Sequence, residues 1–209
     1  MTKPMSGRRA QAARNDEVIL RSAREVFLAD PSAPIAAVAE HAGVGISALY
    51  RRYPSKEDLL RKLCADGLAQ YTAVAEAAVT DEGDPWEVFE RFMAGIVATR
   101  SSSLVRHLAG MFTPSEELYH ASAYAGTLND RIFERAQQAG VIRPDVNVND
   151  MALIFEMVEA VTIGDEARRR ELRGRYLALL LDGIRVSSSV LPGRAPEDRE
   201  LSSRWDPGT

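Results

Sequence analysis

Disulfide chemistry is closed to this chain, which has 209 residues and one cysteine, Cys64; a lone thiol fits a reducing compartment. Membrane-spanning runs are missing too, since no uncharged apolar stretch approaches the roughly eighteen residues a span requires. The first residues also lack the apolar core of a secretory signal. A cytoplasmic protein with no membrane partner is the expectation. Catalytic signatures are as scarce: no serine sits in a Gly-x-Ser-x-Gly elbow, and neither a phosphate loop nor a His-Glu-x-x-His run occurs. Gly43-Val44-Gly45 lacks the third glycine and the preceding strand of a dinucleotide fingerprint. Cys64 falls on the apolar side of a helical pattern, and His107 and His120 read as hydrogen-bonded side chains rather than metal ligands. Asp165 and Glu166 read as a helix start, and Glu197, Asp198 and Glu200 as a solvated tail. No catalytic residue, metal or cofactor is expected, and the chain does not read as an enzyme.

A basic balance is absent as well. The net charge is −4, with a pI near 5.5, which taken over the whole chain weighs against a nucleic-acid partner. The acidity is not uniform. Residues 1–62 hold 11 Lys or Arg against 7 Asp or Glu, giving +4, whereas residues 63–209 hold 15 against 23, giving −8. Residues 1–14 contain Lys3, Arg8, Arg9 and Arg14 and no acid. A small basic head is joined to a larger acidic body.

Apolar residues recur at helical spacing nearly everywhere, so the expected fold is all-α, with about nine helices. Ile19, Ala23, Val26 and Phe27 form one face of a first helix that stops near Pro31. Residues 35–41 and 46–52 read as two short helices with Gly43 between them. Ser55, with Asp58 at the third position, opens a long helix through Leu60, Cys64, Leu68, Tyr71 and Val74. Asp84-Pro85-Trp86-Glu87 and Thr113-Pro114-Ser115-Glu116 mark two further starts, Asn147 or Asn149 a third and Asp165 a fourth. From Ser187 onward Ser, Pro, Gly and charge predominate, and an irregular tail over 189–209 is expected, with Leu201 and Trp205 able to dock it.

The stretch Val38–Leu60 reads VAEHAGVGISALYRRYPSKEDLL. Val38, Ala39 and Leu49 supply an inward face, and Ala42-Gly43-Val44 makes a tight turn, so residues 34–53 form a helix-turn-helix whose second helix suits a DNA major groove. Its outward side would hold Ile46, Ser47, Tyr50 and Arg51, flanked by Arg52, Tyr53 and Lys56. These hydroxyls and cations suit phosphates, with few long side chains for reading bases.

At these residues the sequence resembles the TetR family of transcriptional regulators. The resemblance rests on Ile19-Leu20, Ala23 and Phe27, on Val38-Ala39, on Ala42-Gly43-Val44, on Leu49-Tyr50, and on Tyr53-Pro54-Ser55-Lys56-Glu57 with Leu59-Leu60. It implies a DNA-binding head over 15–62 in which Tyr50 and Lys56 contact phosphates. The start of the third helix, Gly45 to Ala48, would face bases, and a basic arm over 1–14 with Arg8, Arg9 and Arg14 would reach an adjacent groove. Gly45, Ser47 and Tyr53 depart from the usual Ser, Gly and Phe.

Gly140-Val141-Ile142-Arg143-Pro144-Asp145, Arg175-Tyr176-Leu177 and Leu181-Asp182-Gly183-Ile184-Arg185 look like a branch of that family common in actinobacteria. By resemblance, residues 63–188 form an effector-binding and dimerisation body. Homodimers would pair through the last two long helices, presenting Phe155, Val158, Tyr176, Leu180 and Ile184. An apolar effector would lie among Trp86, Phe89, Phe92, Met93, Met111, Phe112, Tyr119, Tyr124, Phe133 and Phe155, with Arg100, His107 and Glu156 as polar anchors. The same aromatics at helical spacing also suit a plain core. The reading that follows is a homodimeric repressor, released from a palindromic operator in double-stranded DNA by a small molecule. Its rivals are a helical small-molecule sensor whose head no longer binds DNA, and a structural dimerisation module.

Overall fold

Helix α1 (Gly7–Ala29) ends two residues before Pro31 in the computed structural model, which describes residues 7–100, 108 and 110–202. The helix begins at Gly7, so residues 7–14 of the expected basic arm are part of α1. α2 (Ile35–Ala42) and α3 (Ile46–Arg52) follow. α4 (Lys56–Thr80) is capped by Ser55, whose hydroxyl accepts from the Asp58 amide and donates to the Asp58 carboxylate. α5 (Pro85–Thr99) has Asp84 accepting from Trp86 and Glu87 amides, with Pro85 at the first position, where its missing N–H costs nothing. α6 (Glu116–Gln138) is capped by Ser115, and α8 (Glu166–Ile184) by Asp165. For α7 (Val148–Glu159) the cap is Asn147 rather than Asn149, in a reciprocal box with Asp150. α9 (Asp198–Ser202) is the last. Among the described residues there are nine helices and no strand, apart from an isolated bridge between Ile142 and Arg185.

Two apolar cores result. The head core gathers Ile19, Ala23 and Phe27 of α1, Val38 and Ala39 of α2, Leu49 of α3, and Leu59, Leu60, Leu63 and Cys64 of α4. Leu108 and Phe112, which precede α6, complete it. The body core joins Ala75 and Ala78 of α4 to Phe89, Phe92 and Met93 of α5, Ile132 and Phe133 of α6, Phe155 and Val158 of α7, and Leu177 and Leu181 of α8. α4 is therefore shared by both cores. Deep burial pushes the Cys64 thiol up to about 12, keeping it protonated at neutral pH.

The tail is more ordered than its composition suggests. Asn147 and Asn149 both donate to the Pro196 carbonyl, and the Leu191 amide donates to Asp145. Buried Arg143 forks onto Asp145 at 2.5 and 2.9 Å and also donates to the carbonyls of Gly183 and Ser189. This cation satisfies carbonyls at the end of α8 and in the tail, which composition alone does not reveal. The Arg143 guanidinium holds the Asp145 carboxyl down to about 2. Trp205 lies outside the described residues.

Candidate nucleic-acid interface

The turn between α2 and α3 depends on Gly43, whose φ of 64° is a left-handed conformation that side chains with a Cβ adopt at a cost. Its amide returns to the end of α2, and α3 starts after Gly45, an N-cap without a side chain to cap the helix. Leu49 is fully buried on the inner side of α3. On the outer side Ile46, Ser47, Tyr50 and Arg51 are exposed, Tyr50 at 46%, and Ala48 is half-buried. A seven-residue helix with one buried anchor thus offers a single open face of hydroxyl, phenol and guanidinium groups.

Two residues expected on that face are turned to other work. Tyr53 is only 5% exposed, and its hydroxyl donates to Asp16 Oδ1 at 2.7 Å. The ring belongs to the head core, so it faces inward and not toward DNA. Arg52 donates through Nε and Nη2 to the two oxygens of the same Asp16, at 2.7 and 2.8 Å. This bidentate pair ties the end of α3 to α1. The Arg52 guanidinium holds the Asp16 carboxyl below its usual range, and Asp16 in turn favours charged Arg52. Burial, reinforced by Asp16, raises the Tyr53 phenol. Asp16 escaped the sequence reading, yet a signal was present: it shares the helical stripe of Ile19, Ala23 and Phe27, and an acid on an apolar stripe needs a partner.

Lys56 occupies the first turn of α4, where the helix dipole disfavours a cation. Its ammonium donates to the carbonyls of Pro31 at 3.1 Å and Ala33 at 2.8 Å and lies 5.0 Å from the centre of the Phe27 ring. It closes the loop between α1 and α2. Replacing Lys56 by Met strands both carbonyls, and the expected loss is about 1–2 kcal/mol of head stability. A urea titration reads this as a lower midpoint at unchanged slope. An unmoved midpoint would mean that the ammonium is not needed for the loop. Arg14 is exposed on α1; Arg8 and Arg9 lie on its first turns, with side chains outside the described ones.

The aromatics expected around an effector divide into three groups. Trp86, Phe89, Phe92, Met93, Phe133 and Phe155 are buried against one another in the body core. Trp86 is also covered by Arg185, whose guanidinium lies 4.4 Å from the ring centre. Met111 and Phe112 join the head core instead, while Tyr119 and Tyr124 stand exposed on α6, the Tyr124 hydroxyl donating to Glu76. A surface cleft of about 420 Å³ lies between Asn147, Asn149 and the tail, and a smaller one of about 100 Å³ beside Val88 and Ile132. Neither of these two is lined by the expected aromatics. Arg100 sits at the C-terminus of α5, Glu156 is half-buried on α7, and His107 lies outside the described residues.

The expected pairing face is divided as well. Phe155, Val158 and Ile184 are buried within their own subunit, Tyr176 is exposed, and Leu180 is half-buried. Met157 on α7, Ile163 just after it and Leu179 on α8 lie outside the expected pairing set and are exposed with Tyr176.

Two surface links join head and body. The Arg61 guanidinium donates to the Thr113 carbonyl, and the Thr113 amide donates to Glu57. Arg24 of α1 donates to the Thr99 carbonyl at the end of α5.

Two family profiles match the chain. One, for bacterial regulatory proteins of the tetR family, covers residues 19–63; the other, for the C-terminal domain of SbtR-like transcriptional regulators, covers residues 84–186. Among solved structures, the chain is similar to the TetR transcription regulatory protein from Mycobacterium vanbaalenii, at 27% identity, with 85% of this chain and 99% of that one covered and a TM-score of 0.54. It is also similar to the TetR transcriptional regulator SCO0520 from Streptomyces coelicolor, at 21% identity, covering 82% and 99%, TM-score 0.55. A third is the TetR-like regulator LfrR from Mycobacterium smegmatis in complex with proflavine, at 22% identity, covering 86% and 99%, TM-score 0.58. No curated protein matches the chain. With head and body each matched by the corresponding part of one family, the chain belongs to the TetR family of bacterial DNA-binding transcriptional regulators.

Proposed function

We propose that the chain is a homodimeric repressor that binds a palindromic operator in double-stranded DNA and leaves it when a small, largely apolar effector binds the body. The observation that carries this reading is the open side of α3, where Ile46, Ser47, Tyr50 and Arg51 face away from a head anchored by Leu49. Tyr50 and Arg51 would hold phosphates, while Ser47 and Ile46 meet base edges. Lys56 and Arg14 would add phosphate contacts at the rim. Dimerisation draws support from the exposed apolar set Met157, Ile163, Tyr176 and Leu179, and a two-fold protein requires a two-fold site. Effector control draws support from α4 and from Leu108 and Phe112, because a shift in the body must move the head core they share. The LfrR structure, which holds proflavine, is a precedent for ligand binding in this fold. An effector acts only through unequal affinity for the two states, typically by about 1–3 kcal/mol.

The test is a salt series of fluorescence anisotropy on an operator selected from genomic fragments, beside a random duplex. Binding is expected to weaken steeply as salt rises. Arg51→Ala is expected to weaken both duplexes and lower the salt slope by about one. Binding that ignores both salt and sequence would favour a sensor whose head has lost DNA.

A further inference from the structure

Arg173 is the one buried side chain among the described residues left with an unpaired polar atom. The residue is 5% exposed and continues the inward stripe of α8 through Leu177, Leu181 and Ile184. Its Nη1 reaches Glu166 Oε1 at 3.2 Å and its Nη2 the Val161 carbonyl at 3.4 Å, but Nε has no partner. A buried guanidinium half-filled in this way is costly unless something else completes it. The same Glu166 oxygen lies 3.6 Å from Arg100 Nη1. Arg100 is the one non-glycine residue with positive φ among the described residues, at 53°. A left-handed conformation strains a residue with a Cβ, and such outliers concentrate at binding sites. A third guanidinium is close by: Arg24 donates to the carbonyl of Thr99, next to Arg100, and burial followed by the Arg100 charge lowers its pKa. The carboxylates facing this cluster are Glu166, about half exposed, and Asp66, on the Arg24 side.

We propose that Arg100 and Arg173 form a binding site for the carboxylate of an organic anion with an apolar body, and that Glu166 occupies the site as an internal substitute until the ligand displaces it. Nε and Nη2 of Arg173 share one edge of the guanidinium and form a planar fork matched to two carboxylate oxygens; there Nη2 has only the Val161 carbonyl and Nε nothing, while Glu166 takes Nη1 on the adjoining edge. The apolar body follows from the place of Arg173 at the head of a stripe that faces the body core. The inference rests on the effector reading above and names its ligand class. Occupancy would be felt by the head, because Arg100 adjoins the carbonyl that holds Arg24 of α1.

The experiment is calorimetric titration of the full-length protein with butanoate, hexanoate and octanoate, each beside its primary amide, and with inorganic phosphate. The alkanoates are expected to bind at least about tenfold more tightly than their amides, and Glu166→Gln to tighten alkanoate binding by about tenfold. Arg173→Met is expected to abolish it. Arg100→Gly, which removes the guanidinium and relieves the positive φ, should do the same in a fold under less strain. Amides binding as well as acids, phosphate binding as well as both, or alkanoate binding that survives Arg100→Gly would overturn the site. Alkanoate binding that leaves operator affinity unchanged supports the site and counts against release. Operator release by an alkanoate that persists in Arg100→Gly supports release and overturns the site.

Discussion

Asp16→Ala is expected to lower the ratio of operator to random-duplex affinity by about tenfold, although Asp16 lies on α1 and not on the recognition helix. The change removes the acceptor of both Arg52 and Tyr53, leaving the end of α3 untied and a buried phenol without a partner. A stranded buried group costs about 1–3 kcal/mol, and that is the expected loss in head stability. Freed Arg52 would then act as an extra cation on the DNA side, so binding to random duplex should strengthen and its salt slope steepen. Specificity falls from both ends. The carboxyl of Asp16 is held below its ordinary value by Arg52, so the tie contributes full stability above the ordinary carboxylate range. That contribution fades as pH falls through the lower folded-state value. Urea midpoints of wild type and Asp16→Asn should therefore draw together as pH falls below the ordinary carboxylate range. Parallel curves, or an unchanged affinity ratio, would mean that α3 is held by Leu49 alone.

Phe89→Ala is expected to cost about 3–5 kcal/mol, lowering the melting temperature by about 10 °C. Phe89 is fully buried between Trp86, with ring centres 6.1 Å apart, and Phe133, at 6.3 Å and 67°. Neighbours fixed on α5 and α6 can close only part of the space left behind. Because α4 runs through both cores, one cooperative transition should move rather than a body transition alone. A loss below about 1 kcal/mol accompanied by an altered ligand response would place Phe89 on an open cavity wall instead.

Most helix boundaries were legible because they rest on local chemistry. Asp84-Pro85, Asp165 and Gly43 act within a few residues, and each stands where caps and turns require it, whereas the cap of α6 is Ser115 and not Thr113, where the pattern of Asp84-Pro85 would place it. The open face of α3 was legible for the same reason, since one inward Leu49 fixes which side remains. What escaped was longer in range. Tyr53 and Arg52 look like DNA ligands until Asp16, 37 and 36 residues away, is seen to engage both. Leu108 and Phe112 join a core whose other buried members precede them by more than forty residues, and nothing in their own surroundings signals it. Phe155 and Val158 looked equally suited to an interface or a core, because helical periodicity marks an apolar face without naming what covers it.

The α4 helix has a mechanical consequence. With 25 residues it spans about 37 Å, one end set among Leu59, Leu60 and Leu63 and the other near Ala78. A rod of that length magnifies small angles: a tilt of about 5° at the body end carries the head end about 3 Å. That displacement is close to the 3.4 Å rise of one base step. In the proposed dimer, two recognition helices set to successive major grooves before such a tilt would miss by about a nucleotide after it.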